Sequence, residues 1–320
     1  MSGGAPLPID VVVLCLDRLE DTIECIDSVL AQDHPEVSLW VLDQGSESSS
    51  RRVLRDRAAR DGFSFTEGRR TGVAAGRNTG YRMGTAPLIV ALDNDAVLAD
   101  KGVLTRVSER FAREKTLGAL AFAVLDYNTG GPDVGSWGYP WPVSTHLDKE
   151  FIAARFCGAG HAIAREAFEA THGYDEQLFF FGEELDLSWQ LVDKGYLVIY
   201  SPDVAVRHKS STEQRVDWLN GRYYYNVRNM IYLNRKFFGT PAMVVSYIGG
   251  FLLKGLRTGL LKAALRGVRD GLRMKNPQMD SALLSKATVD YIMEHEFKPR
   301  GSAWKRLRRE TEIPTSQKGD

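Results

Sequence analysis

Two clusters of carboxylates and one histidine stand out as residues able to do chemistry. Asp93-Asn94-Asp95 sets two carboxylates one residue apart behind the apolar run Pro87–Leu92. Such a pair can reach one hard divalent cation, and Mg2+ or Mn2+ suits oxygen ligands that share the metal with a diphosphate. Asp and Asn also favour turns, so a solvated turn explains the same residues. Glu183-Glu184-Leu185-Asp186 opens a second cluster. Acidic residues at a helix start complement the dipole, yet the preceding Phe179-Phe180-Phe181-Gly182 could dry the site and raise a carboxyl pKa. A carboxylate so placed can take a proton from a hydroxyl nucleophile, worth about 10²–10⁴ in rate. His208 follows Val204–Arg207 and reads as structural or exposed unless the fold carries it to Asp95. Gly72, Gly76 and Gly80 recur every four residues, which is not G-x-G-x-x-G; neither a P-loop nor a G-x-S-x-G elbow is present.

The elements that must position these groups follow from periodicity. Val11–Leu16 is a β-branched strand ending at Asp17-Arg18, and Leu19–Ala31 has helical spacing. Val37–Leu42 is a second strand closed by the polar turn from Asp43, residues 51–60 a helix, and Phe63–Phe65 a third strand. Gly72–Gly80 starts a further helix before the fourth strand, Pro87–Leu92. This alternation predicts an α/β fold with a mainly parallel sheet, its binding groups at the carboxyl ends of the strands. Gly130–His146, rich in Gly, Pro, Trp and Tyr, reads as a functional loop. Phe156–Ala164 follows as strand and turn, Glu166–Thr171 and Gly182–Lys194 as helices, Tyr196–Tyr200 as a strand, and Trp218–Phe238 as a long helix.

The composition, 43% hydrophobic and 26% charged over 320 residues, is that of a folded globular protein and excludes collagen-like, disordered and disulfide-scaffold classes. The 41 basic and 41 acidic residues cancel only in sum. Residues 1–200 hold 19 Lys/Arg against 30 Asp/Glu, and residues 201–320 hold 22 against 11, an acidic body followed by a basic end. Cys15, Cys25 and Cys157 are widely spaced and form no CxxC pair, which favours a reducing compartment. The first residues show no basic-then-apolar secretory signal. Phe237–Leu253 is the longest nearly uncharged stretch, 17 residues with three Gly and a Pro, which suits interfacial burial better than crossing a bilayer.

From Ile9 to Arg235 the order of features resembles the inverting family 2 glycosyltransferases of the GT-A (nucleotide-diphospho-sugar transferase) fold. Val41-Leu42-Asp43-Gln44-Gly45-Ser46 is similar to the "V-D-N-x-S" turn, Gly72–Gly80 to "G-x-a-x-a-R-N-x-G", and Leu92–Asp95 to the D-x-D motif. His161–Glu176 resembles the acceptor-side region that ends "G-G-[FY]-D-E", Glu183–Gln190 "E-D-x-D-L-x-x-R", and Gly195–His208 the "G-y-x-v-x-y-x-P … H" ending. The resemblance implies that Asp43 reads the donor base with Cys15, Asp17 and Arg18 nearby. Gly72, Arg77, Asp93 and Asn94 would line the donor, with Asp93 at the ribose or the metal's outer shell. Asp95 and His208 would hold Mg2+ or Mn2+ on the diphosphate. Glu184, at the family's catalytic Asp position, would deprotonate an acceptor hydroxyl. Gln44, Glu184 and Gln190 depart from the usual Asn, Asp and Arg.

Arg222 and Arg228 resemble an "R-x-x-x-x-x-R-N" helix that could bind donor or lipid phosphates, or simply pack through its tyrosines. Beyond it, Lys262, Arg266, Arg269 and Arg273 run beside Leu261, Leu265, Val268 and Leu272, a basic amphipathic helix suited to an anionic membrane surface. The chain therefore divides into a catalytic domain, 1–235, a helical membrane-associating extension, 236–275, and a basic tail, 276–320, in which Lys305, Arg306, Arg308 and Arg309 precede a polar end. The expected enzyme moves a hexosyl or deoxyhexosyl group from a nucleotide-diphosphate sugar to a lipid-diphosphate-linked or growing glycan. Its expected place is the cytoplasmic face of the plasma (inner) membrane, without nucleic-acid partners and with homo-oligomerisation left open. Two rivals remain: a sugar-1-phosphate nucleotidyltransferase, against which Leu16–Glu20 lacks the Gly-rich basic loop, and a non-catalytic nucleotide-sugar or membrane scaffold.

Overall fold

The computed structural model describes residues 5–209, 221–275 and 283–301. It divides into two compact units, Met1–Phe179 with Glu183–Ser210, and Phe180–Gly182 with Ser211–Asp320. The division precedes the boundary expected at 235, because the helix bearing Arg222 and Arg228 groups with the C-terminal helices. The tail cations Lys305, Arg306, Arg308 and Arg309, and the expected helix start at Trp218, lie outside the described residues.

In the first unit the expected alternation is present: β1 (Ile9–Cys15), α1 (Leu19–Leu30), β2 (Val37–Asp43), α2 (Ser48–Asp61), β3 (Ser64–Glu67), α3 (Val73–Tyr81) and β4 (Leu88–Asp93). β1 pairs in parallel with β2 and β4, and β2 with β3. Its Ile and Val side chains are buried along nearly the whole strand, as in a sheet covered on both faces. Asp10 on β1 is buried too, where it accepts from Trp40 Nε1 (3.0 Å) and pairs with Arg165 (2.7 Å).

The rest of the unit adds β5 (Ala96–Leu98), α4 (Val103–Arg113), β6 (Leu117–Asp126), α5 (Val143–His146), β7 (Phe151–Ala153), β8 (Gly160–Ala164), α6 (Arg165–Glu169), α7 (Glu183–Asp193) and β9 (Leu197–His208). The sheet runs β3-β2-β1-β4-β8-β6-β9-β5, with β7 on β9. It is mixed rather than mainly parallel, since β8 lies antiparallel to both β4 and β6, and β5 and β7 lie antiparallel to β9. That reversal has a use: the register sets Leu92 opposite Gly160, so the chain entering β8 meets the carboxyl end of β4. One apolar cluster, from Ile9 through Leu92 to Val206, spans the sheet and its helices.

The second unit contains α8 (Arg222–Phe237), α9 (Pro241–Arg257), α10 (Leu261–Arg273) and α11 (Lys286–Ile292), which runs into a π-helical turn, Met293–Phe297. Pro241 sits in the first turn of α9, where a missing N–H costs nothing. Tyr223, Val227, Ile231, Val244, Phe251 and Ala264 form the core of this unit. Among the described residues no helix is long and apolar enough to cross a membrane.

Candidate functional site

Parallel pairing aligns Cys15 with Asp43, and Leu14 with Asp93, so these strand ends open together. Past β1 the chain turns through Asp17 and Arg18, both at positive φ (54° and 52°), a left-handed conformation disfavoured for non-glycine residues. The turn is tied down by the Asp17 N–H, which donates to Ser46 Oγ at 2.7 Å. Asp43 is buried and accepts from the N–H groups of Gly45 (2.9 Å) and Ser46 (3.2 Å), so in this structure its carboxylate shapes its own turn. The Cys15 thiol lies 3.8 Å from Asp43, and burial together with that charge pushes its pKa far up. Asn94 donates to Thr22 Oγ1 at 2.8 Å.

The four-residue glycine spacing has a packing explanation. Gly72 has φ of 92° and a Cβ there would stand 2.6 Å from the Phe179 ring. A Cβ on Gly76 would collide with Gln44, and one on Gly80 with Val12. The glycines therefore let α3 close onto β1 and β2. Gln44 accepts from the N–H groups of Thr71 and Gly72 (both 3.2 Å) and donates to the Gly72 carbonyl (3.0 Å), which links the β2 turn to the start of α3.

Asp95 and His208 form the first pole of the site. β5 pairs with β9 so that Ala96 opposes His208, which brings His208 Nε2 to 3.4 Å from Asp95 Oδ1. The other ring nitrogen, Nδ1, lies 2.8 Å from the buried Asp133 carboxylate, itself held by Ser136 Oγ (2.8 Å) and the Gly135 N–H (2.9 Å). Burial works against a charge on His208, but the hydrogen bonds it donates to Asp133 and Asp95 outweigh it and push its pKa up to about 10. Burial likewise opposes the Asp133 and Asp95 anions, while His208 holds both below the usual aspartate range, Asp133 at about 2. Arg18 pairs with Asp95 and with Asp21 (2.7 Å).

These residues fit a divalent cation that would take the place of the proton between His208 Nε2 and Asp95. A carboxylate oxygen and an imidazole nitrogen face each other, and the Asp133 carboxylate orients the ring by its other nitrogen, the usual support of a metal-ligating histidine. Among the described residues no third His, Cys, Asp or Glu joins them. Two protein ligands are the pattern of cations that take their remaining oxygens from substrate phosphates and water.

Asp93 and Glu184 form the second pole. Arg77, 2% exposed, reaches Asp93 Oδ1 at 3.0 Å, Glu184 Oε1 at 3.2 Å and the Gly158 carbonyl at 2.7 Å. Glu184 remains partly open to solvent, with 22% of its side chain exposed. Glu183 turns inward: it is buried, Oε2 has no hydrogen-bond partner among the described residues, and burial followed by the adjacent Glu184 charge raises its pKa to about 8. Asp186 is also buried and is engaged by the Asp175 N–H (2.9 Å) and the Gln190 amide (3.0 Å). Gln190, in place of the usual Arg, also binds the backbone of His172 and Gly173, so it braces the turn before α7.

The structure thus gathers Asp17, Arg18, Asn94, Asp95 and His208 at one pole and Arg77, Asp93 and Glu184 at the other, while Gly72 packs against Gln44 and Phe179. Arg222 and Arg228 belong to the second unit, where Arg222 lies over Phe180 (5.4 Å) and Arg228 over Tyr225 (4.9 Å). Sequence reasoning missed Asp133, whose only signal was its place in the irregular Gly130–His146 loop. It also missed Lys209, which pairs with Asp21 (2.9 Å) and Glu24 (2.7 Å).

A model of glycosyl transferase family 2 matches residues 10–171, half of the chain and every element from β1 to α6. The chain belongs to that family. Its first unit has the GT-A fold. It is 26% identical over 164 residues to the pre-mycofactocin glycosyltransferase of Mycobacterium tuberculosis, a match covering 48% of this chain and 33% of that protein. The chain therefore spans only about a third of the length of that relative. It is 23% identical over 233 residues to the glucosyl-dolichyl phosphate glucuronosyltransferase of Haloferax volcanii, covering 67% and 74% of the two chains. Among solved structures it is similar to the mannosyltransferase PcManGT from Pyrobaculum calidifontis in complex with GDP-Man and Mn2+, with a TM-score of 0.59 and 16% identity over 96% of this chain and 85% of that one.

Proposed function

We propose that the transferase inverts the anomeric configuration of a sugar carried on a nucleoside diphosphate, with Glu184 as general base and an acceptor hydroxyl on a lipid-linked or growing polysaccharide. One observation carries the reading. A single buried guanidinium, Arg77, spans Asp93 and Glu184, which fixes the base candidate at the strand ends where the D-N-D carboxylates sit. Glu184 takes the acceptor proton while the acceptor oxygen attacks the anomeric carbon and the bond to the diphosphate breaks on the opposite face. Arg77 fixes the orientation of Glu184 by holding one carboxylate oxygen and leaves the other for the acceptor. Asp95 and the Asp133-oriented His208 would hold Mg2+ or Mn2+, which offsets the charge of the leaving diphosphate when bound. Arg18, within reach of Asp95, adds a positive group beside that charge.

The likeness to a protein solved with GDP-Man and Mn2+ supports the donor class and the cation. The name of the Haloferax relative supports a lipid-linked acceptor. A panel of nucleotide sugars with Mn2+ identifies the donor by release of nucleoside diphosphate, and NMR of the product then gives its anomeric configuration. Inversion is expected; a product of retained configuration removes Glu184 from the role of base.

A further inference from the structure

Helix α10 meets α8 through its small residues and not through its leucines. Ala264, Gly267 and Gly271 are its buried positions. A Cβ on Gly267 would stand 2.8 Å from Val227 Cβ, and one on Gly271 2.5 Å from the Arg228 carbonyl oxygen, so the two helices approach too closely for larger side chains. The consequence is that Leu265 and Leu272 stay outside, 53% and 43% exposed.

At about 100° per residue, Leu261, Leu265 and Leu272 share one narrow sector beside the docked face. Lys262, Arg266, Arg269 and Arg273 occupy the next sector, within about 60° of arc on the side away from α8. All four are exposed. Among the described residues a carboxylate pairs with one of them, Asp270 with Arg269 at 2.7 Å, while Arg266 lies over the Tyr224 ring at 5.3 Å. A merely solvated face gains nothing from exposed leucines, and a surface for polyanions alone gains nothing either. Leucines that flank a cation ridge serve a partner with anionic groups at its surface and hydrocarbon just beneath.

We propose that this outer face of α10 seats the enzyme on an anionic lipid bilayer, with the cations at the phosphate level and Leu265 and Leu272 at the acyl boundary. The surface stands independently of the sugar-transfer reading, because no residue of the strand-end site takes part in it. It also accounts for the expected location on the cytoplasmic face of a plasma membrane, where anionic lipid makes the surface potential negative.

Flotation of the full chain with phosphatidylcholine/phosphatidylglycerol vesicles, and with phosphatidylcholine alone, tests the surface. Wild type floats with the anionic vesicles and not with the neutral ones. Each cation near such a surface is worth about fivefold in partition, so Lys262→Gln with Arg273→Gln lowers it about 25-fold. Leu265→Ser with Leu272→Ser lowers it about tenfold. Both pairs are exposed, and unchanged thermal unfolding of the variants confirms that the fold is intact. Three results overturn the proposal: wild type that does not float, variants that float like wild type, or loss on charge removal with no loss on leucine removal. The last marks a surface for some other polyanion.

Discussion

Asp95 and Glu184 are each paired with one arginine, and the two arginines are held in opposite ways. Arg18 comes from a turn at positive φ with 26% of its side chain exposed; of its partners, Asp21 is partly open, while Asp95 is buried and keeps His208 as a second counter-charge. Arg77 projects from α3 into the unit, is 2% exposed, and binds two carboxylates and a carbonyl at once. An exposed pair contributes about 0–1 kcal/mol and exchanges readily. Arg77 is itself buried but its carboxylate partners Asp93 and Glu184 are partly open, so removing it costs three donated hydrogen bonds and seals in no bare charge. The Arg18 pair is therefore the more replaceable one, at the carboxylate proposed to meet metal and diphosphate, and the Arg77 pairs, held by three partners at once, are the fixed ones, at the proposed base.

That contrast can be broken most forcefully at Arg77. Arg77→Met should destabilise the first unit by about 1–3 kcal/mol through lost hydrogen bonds to charged partners, read by urea unfolding, whereas Arg18→Met, which leaves Asp95 with His208, should cost under about 1 kcal/mol. Equal losses would erase the distinction. Glu183 gives the next largest effect. Its folded pKa of about 8 stands above the ordinary 4.5, so its contribution to stability is full below about pH 4.5 and is lost as pH rises through 8. Glu183→Gln should flatten the decline across that window; a profile parallel to wild type would mean that Glu183 is charged in the fold. At the cation pole, Asp133→Asn should weaken Mn2+ binding about 10–100-fold by freeing the His208 ring. Unaltered affinity would reduce Asp133 to a loop residue.

The base pole was more legible in the sequence than the residues that hold it. The β-branched run of β1 and the D-N-D turn after β4 announce themselves, because strand propensity and burial agree there. β6 does not: Leu117–Asp126 is built from Ala and Leu, good helix formers, and becomes the longest central-sheet contact of β9 only through burial between β8 and β9. With β6 unseen, the antiparallel β8 and the mixed sheet were unseen too. His208 could be named but not placed, since its position depends on β5, three residues long, pairing 110 residues along the chain. Asp133 lies in a loop without periodicity and is fixed by tertiary contact alone. The basic helix was legible as amphipathic, yet its orientation was not: the glycines, not the leucines, face α8.

The proposed function separates two tasks, donor and cation at Asp95 and proton removal at Glu184. Calorimetric titration of a nucleoside diphosphate with Mn2+ into wild type, Asp95→Asn and Glu184→Gln, with turnover followed in parallel, measures it directly. Glu184→Gln should bind like wild type and turn over about 10²–10⁴ more slowly. Asp95→Asn should lose metal-dependent binding itself. Weak binding by Glu184→Gln, or near-normal turnover in it, would contradict the account.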